Sequence, residues 1–131
     1  MTKREVLKST VPATGLPYAQ SIRVGDMVYV AGQVALDPVT GQAMAGDMTA
    51  QTERVIENIK AILESAGTSL AYAVENLCFL SDARRDFAAF NAVYGRYFDT
   101  NGPTRTTVQA VLPREGLLVE IRCVAVMPPA A

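Results

Sequence analysis

The chain has 131 residues, half of them hydrophobic and 19% charged, which excludes a disordered polypeptide and fits one domain over 1–131. Twelve basic residues against thirteen acidic ones leave a net charge of −1, so no basic field draws in nucleic acid or an anionic membrane. Histidine is absent and the two cysteines, Cys78 and Cys123, stand far apart, which removes His-based triads, His-ligated metals and a Cys-only zinc site.

Residues 1–6 are polar and charged and lack the apolar core of a signal peptide. No run approaches the roughly 20 apolar residues that span a bilayer. A cytoplasmic protein with free, buried thiols is expected. A short strand is expected near 6–9. In the stretch 17–42, Ile22 and Val24 alternate with polar neighbours, Gly25-Asp26 makes a turn, and 27–31 is nearly all apolar, which predicts a hairpin. Asp37-Pro38-Val39-Thr40-Gly41 follows as a second turn, because proline presets φ and glycine permits φ > 0.

From Asp47 the period changes. Val55, Ile56, Ile59, Ile62, Leu63 and Ala66 recur at helical steps. Asp47 or Thr49 suits the N-cap and Gly67 the position past the end. On the charged side, Arg54 with Glu57 and Glu57 with Lys60 are spaced to pair. A strand is predicted over 74–80 and a second helix over 84–98, with Phe87, Phe90, Tyr94, Tyr97 and Phe98 as its heavy face. Gly102-Pro103 breaks it. Strands over 104–112 and 117–127 complete the order, and Pro128-Pro129 ends the last one. The fold class is therefore α+β: a mixed sheet with two helices on one face. The far face of the last strand carries Leu118, Val124 and Val126, so an interface with other copies is expected to cover it.

Two polar groups stand out. Arg105 and Thr107 share one face of their strand, and Glu120 shares a face with Leu118 and Val124. A turn at 113–116 would make the two strands antiparallel neighbours and bring Arg105 close to Glu120. A structural ion pair explains such a juxtaposition. So does a small-molecule site, in which the guanidinium grips a carboxylate and the glutamate handles a water. Spacing alone does not choose. Tyr18 fits boundary packing, Asn91 a buried cap, and Cys78 a space filler. Gly32 belongs to no phosphate-binding glycine motif.

The blocks PYAQ, VYVAGQVALDPVTGQ, QTERVIENIKAILESAG, DFAAFNAVYGRYF, PTRTTVQAVLP and LLVEIRCVAV resemble, in that order, the successive blocks of the RidA family, also called YjgF. The resemblance covers residues 17–126. It implies a chorismate-mutase-like α+β fold, assembled as a homotrimer with clefts between subunits. It also implies hydrolysis of reactive 2-enamine and 2-imine acids, such as 2-aminoacrylate and 2-iminobutanoate, to 2-keto acids and ammonia. No metal or cofactor is implied. Carried over, Arg105 would bind the substrate carboxylate and Glu120 would orient the water. Tyr18, Gly32, the backbone at Thr107, and Asn91 from a neighbouring subunit would complete the pocket. The chain departs from the family pattern at Leu16, Ala31 and Thr107, which bear on the preferred side chain. The competing functions are a carboxylate-binding or protein-protecting module without turnover and, against the charge balance, an endoribonuclease.

Overall fold

The structure, a computed structural model, describes residues 3–130; the sequence reading of residues 1 and 2 lies outside them. Strands β1 (Arg4–Leu7), β2 (Ser21–Val24) and β3 (Met27–Gln33) precede helix α1 (Met48–Ser65). A single 3-10 turn, Leu70–Tyr72, leads into β4 (Ala73–Leu80), helix α2 (Ala83–Tyr97), β5 (Thr104–Gln109) and β6 (Val119–Val126). The six strands form one mixed sheet in the order β1-β2-β3-β6-β4-β5, in which only the β4–β5 pair is parallel.

Helix α1 forms where the sequence placed it, for the reasons given there. The Asp47 side chain accepts from the Ala50 backbone N–H at 2.9 Å, satisfying one free donor of the first turn. Val55, Ile56, Ile59, Ile62 and Leu63 are buried against the sheet. Gly67, at φ +91°, turns the chain away in a conformation that a side chain would strain. Thr68 Oγ1 then donates to the Val126 carbonyl at 2.7 Å and pins the helix end to β6. The two pairs expected along α1 do not form. Arg54 Nε donates to Asn58 Oδ1 at 3.1 Å, and Glu57 accepts from the Tyr97 hydroxyl of α2 at 2.8 Å. The second helix supplies the partner of Glu57, while Arg54 finds its own one turn further along α1.

The core lies between the helices and one face of the sheet. Val28, Val30, Cys78, Leu80, Val119, Ile121, Cys123 and Ala125 point into it, with Phe90 and Tyr94 from α2. No helix or strand among the described residues covers the opposite face. This face presents Tyr29, Leu77, Phe79, Val108 and Val126, of which Tyr29 and Val108 are exposed, while Leu118, just before β6, packs against the core. Among the described residues no helix is long and apolar enough to cross a membrane.

The expected neighbour relation of the last two strands is wrong. β5 is the sheet edge and pairs in parallel with β4, while β6 lies between β3 and β4. A strand, a helix and a next strand with short links form a crossover unit, whose strands run parallel. The β5–β6 connection is no hairpin turn; it passes β4 to reach the interior of the sheet.

Candidate functional site

This topology separates the two groups that the sequence brought together. Arg105 pairs with Asn76, and Glu120 with Phe79, on either side of β4. Two strand spacings put them roughly 10 Å apart before the offset along the strands is counted. They also point to opposite faces. Arg105 and Thr107 share the helix-covered face with their ladder partners Asn76 and Cys78, whereas Glu120 shares the open face with Phe79. A structural Arg105–Glu120 ion pair within one chain is thereby excluded. The chain carries two separate clusters.

The first cluster surrounds Glu120. A bulge in β3 between Val30 and Gln33 leaves Ala31 and Gly32 out of the ladder. Gly32 lies so close to Glu120 that a Cβ built on it would collide with the carboxylate. A side chain at residue 32 would have to push the Glu120 carboxylate aside, a steric demand and not one of backbone angle. A cavity of about 440 Å³ opens beside them, lined by Leu16, Tyr18, Gly32, Arg114, Leu117 and Glu120 among others. A smaller one of about 200 Å³ continues beneath the 12–20 segment. Tyr18 is 52% exposed, so it is not boundary packing. Its hydroxyl accepts from Thr14 Oγ1 at 3.2 Å, and the same Thr14 oxygen accepts from the Leu16 N–H. At the base of this strap, Gln20 Nε2 donates to the Val11 carbonyl at 3.0 Å and its Oε1 accepts from Ser9 at 2.6 Å.

Helix α1 fixes the remaining walls. Buried Gln51 donates to the Gly116 carbonyl at 2.8 Å and accepts from the Leu118 N–H at 2.8 Å, which sets the entry into β6 and hence Glu120. Buried Asn58 donates to the Leu36 carbonyl at 2.9 Å. Glu120 is half-buried and has no hydrogen-bond or ion-pair partner among the described residues. Burial disfavours its charged form and raises its pKa above the ordinary carboxylate value.

The second cluster lies under α2. The Arg105 guanidinium carbon sits 4.8 Å from the Tyr94 ring centroid, 5.2 Å from that of Phe90 and 5.7 Å from that of Phe87. No acidic side chain pairs with it among the described residues. Thr107 Oγ1 is buried without a hydrogen-bond partner. Burial pushes the neighbouring Cys78 thiol up to about 12, against the pull of the Arg105 charge, so it stays protonated at neutral pH. Asn91 is half-buried on α2, four residues after Phe87 and three before Tyr94. It therefore belongs with Arg105 and Thr107, while Tyr18 and Gly32 belong with Glu120.

Sequence reasoning gave no role to Asn76, Arg114 or Gln51. Asn76 had a signal: an amide alternating with Cys78 and Leu80, at a position whose neighbours are core. Gln51 had a weaker one, a polar residue one turn before Val55 on the apolar stripe. Arg114 had none, since its place at the cavity depends on where the β5–β6 connection travels.

Comparison with known proteins gives one consistent result. Residues 8–127 match the family model described as Endoribonuclease L-PSP. A RutC family protein of Pyrococcus abyssi is 42% identical over 125 residues, 95% of this chain and 98% of that one. The crystal structure of RidA from the Antarctic bacterium Psychrobacter sp. superposes with a TM-score of 0.86 at 38% identity, covering 94% of this chain and 99% of the other. TdcF of E. coli, whose crystal structure contains bound serine, also gives a TM-score of 0.86 at 32% identity, covering 95% and 99%.

Proposed function

Because this chain belongs to the Endoribonuclease L-PSP family, which is the YjgF/RidA family, we propose that it hydrolyses 2-imino and 2-enamino acids to 2-keto acids and ammonia. The proposal includes a homotrimer in which each site is shared by two copies. One copy contributes Arg105, Thr107 and Asn91, and the next contributes Tyr18, Gly32 and Glu120. The observation that carries the reading is Arg105: a half-buried guanidinium stacked on three rings with no acidic partner among the described residues. A brace for the scaffold would be paired. A cation kept unpaired in a partly desolvated place is suited to a bidentate hold on an incoming carboxylate. The small amino acid bound to TdcF of E. coli supports a ligand of that class.

The chemistry needs little more than placement. A protonated imine carbon is already electrophilic, so an oriented water suffices as nucleophile. Water adds to that carbon while Glu120 takes one of its protons. The carbinolamine nitrogen is then protonated, the C–N bond breaks, and the hydroxyl loses its proton as the carbonyl forms. One iminium and one water give one keto acid and one ammonium. The raised pKa of Glu120 makes it a stronger base than a solvated carboxylate.

The test is imine generated in place by an amino-acid oxidase with catalase, with keto-acid release followed against time. The wild-type protein should accelerate release. Arg105→Ala should lose on the order of 10²-fold in kcat/KM, since two hydrogen bonds to a charged group go together. No acceleration by the wild type, or full activity in Arg105→Ala, defeats the reading. Arg105-dependent binding of 2-oxobutanoate without turnover would assign the same cleft to a carboxylate-binding module.

A further inference from the structure

Beneath α2 lies a polar group that a sheet core does not need. Asn76, in the middle of β4, is 1% exposed, and the next inward residues of that strand, Cys78 and Leu80, are fully buried. An amide in such a place is costly unless both of its ends are paired. Only one end is. Nδ2 donates to the Tyr94 hydroxyl at 3.0 Å, while Oδ1 is buried without a partner. The ladder sets Arg105 directly across from Asn76 on the same face. One rung on, Thr107 keeps its own buried hydroxyl unpartnered opposite Cys78. Two unmet side-chain atoms and an unpaired guanidinium thus share two adjacent rungs.

Aromatic faces hold a cation without neutralising it. That keeps the charge of Arg105 available, which a carboxylate partner would not. Stacking has a weakness, however: it fixes the distance from the ring more firmly than the rotation of the guanidinium over it. A bidentate hold needs that rotation fixed, because both N–H groups must meet both oxygens of the ligand. The guanidinium has five N–H donors, and a carboxylate uses two. The others need acceptors, and Asn76 Oδ1 is an acceptor with nothing bound to it.

We infer that Asn76 is a positioning residue for Arg105, fixing the Tyr94 platform through Nδ2 and receiving an Arg105 N–H through Oδ1 when the guanidinium grips a carboxylate. This rests on the reading of Arg105 as the carboxylate grip. The amide touches no substrate. It acts through the phenol it holds and the guanidinium it orients.

The experiment uses the full chain and two readouts: calorimetric binding of 2-oxobutanoate, and KM and kcat for imine hydrolysis. Asn76→Leu and Tyr94→Phe should each raise the Kd for 2-oxobutanoate and the KM about tenfold, the loss of one hydrogen bond to or beside a charged group, with kcat within about twofold. The double variant should be little worse than Asn76→Leu alone, because both changes break one linked arrangement. A merely structural amide would lower Tm and leave Kd and KM in place. Folded Asn76→Leu with wild-type Kd and KM overturns the inference. If Asn76→Leu does not fold, Tyr94→Phe, which loses a single oxygen, decides by the same criterion. Variants that bind normally beside an active wild type defeat this inference alone. A wild type that neither binds 2-oxobutanoate nor releases keto acid defeats it together with the proposed function.

Discussion

Glu120 is held where its charge is least comfortable. It is half-buried, unpaired, and pressed against the backbone at Gly32. Its folded-state pKa lies above the ordinary value of 4.5, and desolvation is the cause. The sign of the stability effect follows. Between the unfolded and folded pKa values the native state binds more protons than the unfolded chain, so stability falls as pH rises from about 4.5 through the folded value. Above the folded value the penalty is fully present. Glu120→Gln, which keeps the shape and removes the charge, should therefore raise Tm at pH 7. The gain should vanish on acidification below pH 4.5, where the native carboxyl is neutral as well. Thermal unfolding of both proteins across that range measures it, and a lower Tm for the glutamine variant at pH 7 would contradict the assigned cause. The same variant should lose keto-acid release, so stability and activity should move in opposite directions.

At the scale of elements, helix α1 is both a core layer and a fixture of the cavity. Removing its cap by Asp47→Ala should cost about 1 kcal/mol in urea unfolding, because the Ala50 N–H loses its acceptor. The m-value should not change, since the same surface is exposed on unfolding. The cap, the apolar stripe and the terminal glycine of α1 were all legible in the sequence because each is a local matter of period and backbone preference. The neighbours of β5 were not. Pro113 to Gly116 looked like a hairpin turn, yet the order strand, helix, strand over 74–109 already carried the stronger signal of a parallel crossover unit. That one misplaced neighbour moved Arg105 to the wrong face. The residue types at the site were still readable: an arginine with no acidic residue nearby in its own strand, and a glutamate alternating with valine and isoleucine. Their grouping was not, because it depends on strand order and not on spacing. Asn76 was passed over for the same reason, since nothing local says that α2 brings Tyr94 within reach of it.

For the whole molecule, the separation of the two clusters has a direct test. If each site joins the Arg105 cluster of one copy to the Glu120 cluster of the next, Arg105→Ala and Glu120→Gln chains should each be inactive alone. Mixed by unfolding and refolding together, they should recover about a quarter of wild-type activity, the share of contacts between two intact halves in a randomly assembled ring. No recovery, with mixed assemblies verified by native mass spectrometry, would place both groups of a working site in one chain or dispense with one of them. The uncovered sheet face, with Tyr29, Phe79 and Val126 on it, is the surface that such an assembly would bury.

The crowding of Gly32 by Glu120 also limits how this gene can drift. Every missense change in a glycine codon introduces a β-carbon, and here the first atom beyond the backbone already meets a carboxylate. Any change at residue 32 therefore has to move the carboxylate of residue 120 aside, and alters where the acid sits in the cavity even when residue 120 itself is untouched.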